Sequence, residues 1–226
     1  MPSRLIVLAT SNAGKVRELE ALLSDWMTTK HTRYTKWTET THGGGEERGP
    51  GLRFALLREL VGACEIPEPF ATFRENAAYK ARVAAERSDE WALGEDSGLV
   101  VDALAGRPGV YSARFAGKGE PDARRVAFLL DLLRDVPEAR RTARFHCAVA
   151  LASPEAILGE WEGVCEGRIA EAARGERGFG YDPAFIPDGE TRTIAELTSD
   201  EKNAISHRGC AMRKVAQGLA QLLRDG

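Results

Sequence analysis

The sequence predicts one α/β domain spanning residues 1–226, with a mixed β-sheet flanked by helices. Short apolar runs alternate with segments of helical periodicity along most of the chain, which is the pattern of α/β folds. The apolar segments 142–152 and 157–170 follow each other closely, which favours a mixed sheet over a purely parallel one. No internal repeat and no linker divides the chain into separate domains.

The first third of the chain contains a strand, a helix and a long irregular segment. Residues 4–9 form a continuous apolar run that predicts a buried strand, and residues 16–25 carry leucines at helical spacing. Residues 28–64 are rich in threonine and glycine, so we expect an irregular excursion with one helical piece over 52–61. Loops of this length are usually functional or disordered, and the sequence assigns this one no chemistry.

The rest of the chain shows clear periodic elements. The predicted elements are a helix over 73–91, a strand over 98–104, a helix over 122–135, strands over 142–152 and 157–170, and a terminal helix over 207–224. A glycine-rich turn at Gly178–Pro183 separates the last predicted strand from the terminal helix.

Composition narrows the classes of function. The chain of 226 residues is 43% hydrophobic and 29% charged with a net charge of −3, which is typical of a soluble globular protein. Weak acidity argues against sequence-independent binding to nucleic acid. No apolar run is long enough for a signal peptide or a membrane span, so we expect a cytoplasmic protein. The four cysteines form no CxxC pair, which argues against a zinc site.

A small polar loop joins the first predicted strand to the first predicted helix. Its residues are Thr10, Ser11, Asn12, Ala13, Gly14 and Lys15. Backbone N–H groups at a helix N-terminus attract anions, and a lysine there adds positive charge, so the loop is a candidate phosphate site. It is not a Walker A loop, because Ala9 and Val16 replace the required glycine and hydroxyl residue. The alternative is a plain helix cap at Ser11 or Asn12.

Acidic residues near the predicted strand 98–104 are candidate metal ligands. Glu95 and Asp96 are adjacent and precede Ser97, and Glu68 lies between two prolines upstream. Mg²⁺ binds one or two carboxylates and completes its shell with water and phosphates, and such a carboxylate can also activate water. Lys80, on the helix 73–91, is a candidate phosphate partner. The alternative for each of these residues is an ordinary surface position.

Two later segments are candidates for binding a base. Glycines in the turn 178–182 are expected to expose Phe179 and Tyr181, which could stack on a base or instead fill the core beside the turn. Lys202, His207 and Arg208 cluster before the terminal helix. A keto oxygen at purine C6 accepts hydrogen bonds, whereas adenine presents an amino donor there, so donors from His207 and Arg208 favour hypoxanthine or xanthine. The alternative is charge at a helix start with no ligand.

Together and in this order, these segments resemble the inosine triphosphate pyrophosphatase family of non-standard purine NTP pyrophosphatases. The matching stretches are LATSNAGKVRELE (8–20), TFRENAAYKA (72–81), GEDSGLVVDALAGRPGVYSARFAG (94–117), ARFHCAVAL (143–151), GFGYDPAF (178–185) and AELTSDEKNAISHRGCA (195–211). They span most of the chain, and several are long and specific.

The resemblance implies an elongated mixed sheet flanked by helices, with the active site in a cleft between two lobes of a homodimer subunit. It implies Mg²⁺-dependent attack of water on the α-phosphorus, with release of pyrophosphate from ITP, dITP or XTP. It assigns Asp96 as general base and metal ligand and Glu68 as metal ligand. Glu95 departs from the family pattern, in which bacterial relatives often have aspartate, and is the less favoured metal ligand. The implied substrate contacts are Thr10, Ser11, Asn12, Ala13, Gly14, Lys15, Lys80, Ser97, Phe179, Gly180, Tyr181, Asp182, Lys202, His207 and Arg208.

Three alternatives stay open at the level of sequence. The first is a pyrophosphatase of related fold with a preference for pyrimidines or modified bases, against which the SHRG segment argues. The second is a nucleotide-binding module without catalysis, against which the acids and lysines argue. The third is a dinucleotide-binding dehydrogenase, which is remote because no GxGxxG follows a predicted strand.

Overall fold

The computed structural model describes residues 4–10, 12–29, 35–36 and 52–225. The candidate phosphate residue Ser11 and most of the predicted excursion, residues 30–34 and 37–51, lie outside the described residues. No helix in the described ranges is long and apolar enough to cross a membrane.

Strands and helices alternate along most of the described chain. They are β1 (Arg4–Leu8), α1 (Ala13–Thr29), β2 (Thr35–Lys36), β3 (Leu52–Leu56), α2 (Leu57–Val61), α3 (Phe73–Ser88), β4 (Trp91–Val101), α4 (Asp122–Leu132), β5 (Thr142–Ala152), β6 (Ile157–Ile169), β7 (Phe185–Pro187), α5 (Ser199–Ile205) and α6 (His207–Asp225). Short 3₁₀ turns, including Gly109–Arg114 and Asp182–Ala184, connect several of them.

The strands of the described residues form one sheet in the order β2-β3-β1-β4-β5-β6-β7. β1 pairs in parallel with both β3 and β4, whereas β6 and β7 are antiparallel. The sheet is therefore mixed, and the predicted α/β class is confirmed.

The chain divides into two compact units. The first comprises Met1–Glu95, Val149–Trp161 and Met212–Gly226, and the second comprises Asp96–Ala148 and Glu162–Ala211. The strands β4, β5 and β6 and the helix α6 each contribute residues to both units. That the two units together act as a single domain stays a prediction.

The first unit brings the backbone of α3 close to that of β4. The inner face of α3 consists largely of buried alanines, which are Ala77, Ala81, Ala84 and Ala85. A Cβ on Gly94 of β4 would run into the Ala77 carbonyl and the Ala81 amide, so only glycine permits this approach. Lys80 and Glu95, the neighbours of Ala81 and Gly94 in sequence, are thereby brought together.

The second unit has its own apolar core. Leucine, phenylalanine and isoleucine side chains from β4, α4, β5, β6 and β7 pack there, among them Leu99, Leu129, Phe145, Ile169 and Phe185. The buried hydroxyl of Ser112 accepts a hydrogen bond from Leu99 N at 2.9 Å and donates to Gly109 O at 2.6 Å. These bonds attach the segment after β4 to the strand itself.

Two local predictions are wrong. Residues 52–61 were predicted as one helical piece, but Leu52–Leu56 is a strand because it pairs in parallel with β1, and only Leu57–Val61 is helical. The strand predicted over 98–104 instead runs over Trp91–Val101, because pairing with β1 extends it toward the N-terminus, and Asp102–Leu104 is a short 3₁₀ turn. Glu95 and Asp96 consequently lie inside β4 and not before it.

Candidate functional site

The loop before α1 is organised by Asn12. Its side-chain Oδ1 accepts hydrogen bonds from Gly14 N at 2.9 Å and Lys15 N at 3.1 Å, and its carbonyl accepts from Val16 N at 2.9 Å. Asn12 is therefore the N-cap of α1, one of the two caps that the sequence predicted. Because the cap engages two of the amides, the candidate phosphate site depends on the remaining N–H groups and on Lys15.

Four charged side chains of the first unit form a lysine–glutamate cluster, defined as Lys15, Glu68, Lys80 and Glu95. Lys80 Nζ contacts Glu68 Oε1 at 2.5 Å and donates to the main-chain carbonyl of Glu95 at 2.9 Å. Lys15 Nζ lies 3.1 Å from Glu95 Oε2.

Burial distinguishes this cluster from an ordinary set of surface charges. Lys80 is 6% exposed and Glu95 is 3% exposed, so the surface alternative for both residues is wrong. Lysine and glutamate are almost never buried unless they are paired, and each of these is paired. The cluster thus combines two positive charges with two carboxylates, of which Lys80 and Glu95 are buried and Lys15 and Glu68 are partly exposed.

Asp96 follows Glu95 in β4 and is also only 3% exposed. Its Oδ1 accepts a hydrogen bond from Ser97 N at 3.0 Å. A buried carboxylate with one oxygen held by a backbone amide is oriented, and it can accept a proton from water that it contacts.

The carboxylates suit a hard cation such as Mg²⁺. In the parts of the chain that the structure describes, no group of three or more His, Cys, Asp or Glu side chains is arranged to hold a metal by itself. Mg²⁺ usually binds one or two protein carboxylates and takes its other ligands from water and phosphate. Glu68 and Glu95 of the first unit and Asp96 of the second are each oxygen donors of the type that Mg²⁺ prefers, and none of them would suit a soft metal.

The second unit contains an aromatic–cation cluster, defined as Ser97, Phe179, Asp182, Lys202 and Arg208. Lys202 Nζ lies 4.9 Å and Arg208 Cζ lies 5.6 Å from the centre of the half-buried Phe179 ring. Both distances are within the range of cation–π attraction. Arg208 Nη2 donates to Ser97 Oγ at 3.1 Å.

Asp182 connects the glycine-rich turn to this cluster. Its Oδ2 accepts a hydrogen bond from Phe179 N at 2.9 Å and pairs with Lys202, which α5 presents. Gly178 has a φ of +79°, and a Cβ there would collide with the Asp182 carboxylate. Glycine is therefore required at 178 both by backbone conformation and by space.

Tyr181 is a core residue, which corrects the prediction that its flanking glycines expose it. It is 3% exposed, belongs to the apolar core of the second unit and donates its hydroxyl to Ser112 O at 2.9 Å. Burial raises the pKa of its phenol. The alternative in which an aromatic ring fills the core beside the turn is correct for Tyr181, whereas Phe179 remains partly exposed.

His207 is the first residue of α6, and its ring stacks on that of Phe145. The His207 and Phe145 rings are 4.8 Å apart and inclined by 12°, and Phe145 also contacts Phe185 at 4.7 Å. Gly163 of β6 allows the close approach of α6, because a Cβ there would meet the His207 carbonyl. Sequence reasoning missed Phe145, since nothing in its apolar strand distinguishes it from other core residues.

The structure therefore divides the predicted site residues between the two units. Thr10, Asn12, Gly14, Lys15, Glu68, Lys80 and Glu95 belong to the first, and Asp96, Ser97, Phe179, Gly180, Asp182, Lys202, His207 and Arg208 belong to the second. Contacts within the first unit join Lys15, Glu68, Lys80 and Glu95, and contacts within the second join the aromatic–cation cluster.

Comparison with known proteins gives concordant matches. The sequence profile of the Ham1 family matches residues 6–218. The dITP/XTP pyrophosphatase of Geobacillus kaustophilus is 45% identical over 210 residues, which cover 93% of this chain and 91% of that protein. The dITP/XTP pyrophosphatase of Desulforamulus reducens is 44% identical over 217 residues, which cover 96% of each chain.

Solved structures agree with the sequence matches. A HAM1 protein from Coxiella burnetii superposes with a TM-score of 0.78 at 39% identity, covering 96% of this chain and 99% of that one. A nucleoside-triphosphatase, also titled dITP/XTP pyrophosphatase, from Mycobacterium abscessus superposes with a TM-score of 0.70 at 38% identity, covering 93% and 98% of the two chains.

Proposed function

Because the chain belongs to the Ham1 family, we propose that it hydrolyses non-standard purine nucleoside triphosphates, such as ITP, dITP and XTP, to the monophosphate and pyrophosphate. Such a reaction removes these nucleotides from the pool before they are incorporated into DNA or RNA. The single observation in the structure that carries the proposal is the lysine–glutamate cluster, with its buried members Lys80 and Glu95, which is suited to a polyanion accompanied by a metal ion. The cytoplasmic location expected from the sequence and the homodimer implied by the family resemblance both stay predictions.

The triphosphate is assigned to the first unit. Lys15 and Lys80 provide two positive charges, and both are already oriented by carboxylates, so little ordering is needed when an anion binds. The start of α1 adds the positive end of the helix dipole next to Lys15, although Asn12 Oδ1 already accepts from the amides of Gly14 and Lys15. These groups contact phosphates only and are blind to the base.

The proposed metal is Mg²⁺, held by Glu68 and Asp96 with Glu95 as a further carboxylate. When bound, the ion supplies Lewis-acid stabilisation of the negative charge on the phosphates. The pairing of Glu68 with Lys80 holds this carboxylate in one orientation. Lys80 thereby positions a metal ligand in addition to neutralising phosphate charge.

Asp96 is proposed as the general base. It accepts a proton from the attacking water as the new bond between water oxygen and the α-phosphorus forms. The bond from the α-phosphorus to its bridging oxygen breaks, and pyrophosphate departs. Its hydrogen bond from Ser97 N fixes one carboxylate oxygen and so orients the side chain.

The base is assigned to the second unit. The partly exposed Phe179 ring can stack on any base, so stacking gives affinity without discrimination. Discrimination is assigned to the donors Lys202, His207 and Arg208, which suit the C6 keto oxygen of hypoxanthine and xanthine. Adenine would leave these buried donors facing an amino group, a mismatch that costs more than a missing surface contact.

The test is pyrophosphate release from a panel of ITP, XTP, dITP, ATP and pyrimidine triphosphates, with Mg²⁺ and with EDTA. We expect rapid release from ITP and XTP with Mg²⁺, far slower release from ATP, and none with EDTA. Equal turnover of ITP and ATP would remove the base assignment while leaving the phosphate assignment. Tight ITP binding without any pyrophosphate release would identify a binding module and contradict the proposal.

A further inference from the structure

The glycine-rich turn accepts a restraint from α4, because the carboxylate of Asp122 binds the amide of Gly180. Gly180 N donates to Asp122 Oδ2 at 2.6 Å, although the two residues are 58 positions apart in sequence. Hydrogen bonds from an amide to a carboxylate are stronger than neutral ones, and this one connects the turn to a regular helix. Asp122 lies in the first turn of α4, where the helix dipole also favours a negative charge.

The carboxylate of Asp122 is itself oriented. Its other oxygen, Oδ1, pairs with Arg125 one turn along α4. Arg125 also donates to the main-chain carbonyls of Glu120 and Ala113. Asp122 is 42% exposed, yet these contacts hold its side chain in one position toward Gly180.

The two amides that flank the Cα of Phe179 are therefore both held by carboxylates. Phe179 N donates to Asp182 Oδ2 at 2.9 Å, and Gly180 N donates to Asp122. Fixing both peptide groups restricts the φ and ψ of Phe179 and thus the direction in which its ring leaves the backbone. Gly180 has a φ of +64°, a conformation that glycine adopts without strain. The carbonyl of the same peptide group, Phe179 O, accepts a longer hydrogen bond from Asp182 N at 3.3 Å, so the shorter bond to Asp122 is the stronger of the two restraints.

We propose that Asp122 is a positioning residue for base binding, which acts by fixing the peptide between Phe179 and Gly180 and so the ring of Phe179. The inference rests on the proposed function in one respect, namely that Phe179 stacks on the base. Loss of the Asp122 carboxylate would remove one of the hydrogen bonds that hold this peptide, and the ring would be less firmly held in the position that its contacts with Lys202 and Arg208 define. Ordering the ring would then oppose substrate binding.

The test combines hydrogen exchange with steady-state kinetics on Asp122→Ala, Asp122→Asn and Asp122→Glu. In Asp122→Ala, we expect the exchange rate of the Gly180 amide to rise at least about tenfold, as for a lost charge-assisted bond. We expect KM for ITP to rise at least about fivefold with kcat changed less than about threefold, because binding and not chemistry is impaired. Asp122→Asn keeps an acceptor oxygen and should be intermediate, and Asp122→Glu should partly restore KM.

A matched control lies on the same helix. Asp131 and Arg134 of α4 form an acid–arginine pair at the same i, i+3 spacing, and within the described part of the chain the Asp131 side chain bonds only Arg134. Asp131→Ala should leave Gly180 exchange and KM unchanged. If Asp131→Ala matched Asp122→Ala in both measurements, the effect would be general to the helix and the inference would be overturned.

A double variant separates positioning from a structural role. If Asp122 acts through Phe179, adding Asp122→Ala to Phe179→Ala should raise KM no further, since coupled residues are not additive. Additive effects on KM would overturn the inference while leaving the proposed function intact. If Phe179→Ala alone left KM for ITP unchanged, the stacking assignment within the proposed function would fail, and the role of Asp122 in base binding would fail with it. Unchanged Gly180 exchange in Asp122→Ala would overturn the inference whatever the substrate.

Discussion

The lysine–glutamate cluster and the aromatic–cation cluster each contain a pair between a buried lysine and a carboxylate, but the surroundings of the two pairs differ. In the first, Lys80 is buried against Glu68, and in the second, Lys202 is buried against Asp182. Lys80 also donates to the main-chain carbonyl of Glu95, whereas Lys202 also faces the ring of Phe179. The first cluster is suited to binding the negative charge of the phosphates, which all nucleoside triphosphates share. The second adds an aromatic ring and directional hydrogen-bond donors, which can distinguish one base from another.

This difference separates affinity for the phosphates from choice of base. Variants in the lysine–glutamate cluster should slow the hydrolysis of all triphosphates by the same factor. Variants in the aromatic–cation cluster should change the preference of the enzyme among the triphosphates.

The largest expected effect is at Asp96, whose proposed role is common to all substrates. Asp96→Asn should lower kcat for ITP by roughly 10²–10⁴, the range for loss of a positioned acid–base group. The measurement is pyrophosphate release at saturating ITP. Asp102→Asn, at a half-exposed acid that pairs with Arg144, is the control and should be near normal. Near-normal activity of Asp96→Asn would show that Asp96 is not the base.

A smaller effect is expected at Lys80. Lys80→Met keeps much of the side-chain volume but removes the charge that pairs with Glu68 and binds the Glu95 carbonyl. We expect kcat/KM to fall by about 10- to 150-fold for ITP and for ATP alike, since hydrogen bonds to charged groups contribute about 1.5–3 kcal/mol. Lys118→Met, at an exposed lysine, should change neither value. A loss confined to ITP would contradict the phosphate assignment.

A variant at Arg208 should change the preference for ITP over ATP and not only the rate of hydrolysis. Arg208→Lys keeps the charge but loses the planar guanidinium that donates to Ser97 Oγ while lying near the Phe179 ring. We expect the ratio of kcat/KM for ITP to that for ATP to fall about tenfold or more, as for one misplaced buried donor. The check is the same pyrophosphate assay with both nucleotides at several concentrations. An unchanged ratio would remove Arg208 from base recognition.

The smallest effect concerns the stability of α5, the helix that carries Lys202. Hydrogen bonds from the Thr198 backbone and from Arg192 lower the pKa of Glu201 to about 2. Because this pKa is lower in the folded state, Glu201 adds stability above its ordinary pKa near 4.5, and that stability is lost as pH falls toward 2.

The matching variant is Glu201→Gln. Its denaturation midpoint should lie below that of the wild type at pH 6, and the gap should close as pH falls through 4.5 toward 2. A gap that stays constant over this range would show that the Glu201 charge does not stabilise α5.

Much of the fold followed from periodicity and turn chemistry. The bounds predicted for β5 and for most of β6 match the structure, because alternation and flanking turns mark both ends of these strands. The strand β3 was missed, since a five-residue apolar segment is ambiguous until its partner is known, and pairing with β1 decides its conformation. The seven-residue helix α5 was missed for a related reason, although the capping box of Thr198 and Glu201 was a readable signal.

The candidate site was predictable in its residue types but not in its contacts. Glu95 and Lys80 could be named from their segments, yet their meeting depends on the small Gly94 and on an alanine face of α3, which no local pattern reveals. Burial of Tyr181 beside a partly exposed Phe179 was likewise undecidable, because both are aromatics flanked by glycine. Asp122 gave no signal beyond that of an ordinary helix start after Pro121.

The most direct test of the separation between phosphate binding and base choice uses one ratio, kcat/KM for ITP divided by kcat/KM for ATP. This ratio is compared in Lys80→Met and Arg208→Lys. The separation predicts that the ratio stays within about threefold of wild type in Lys80→Met, while both individual values fall, and that it drops about tenfold or more in Arg208→Lys. A ratio that changes as much in Lys80→Met as in Arg208→Lys would contradict it, since the lysine–glutamate cluster would then be discriminating bases.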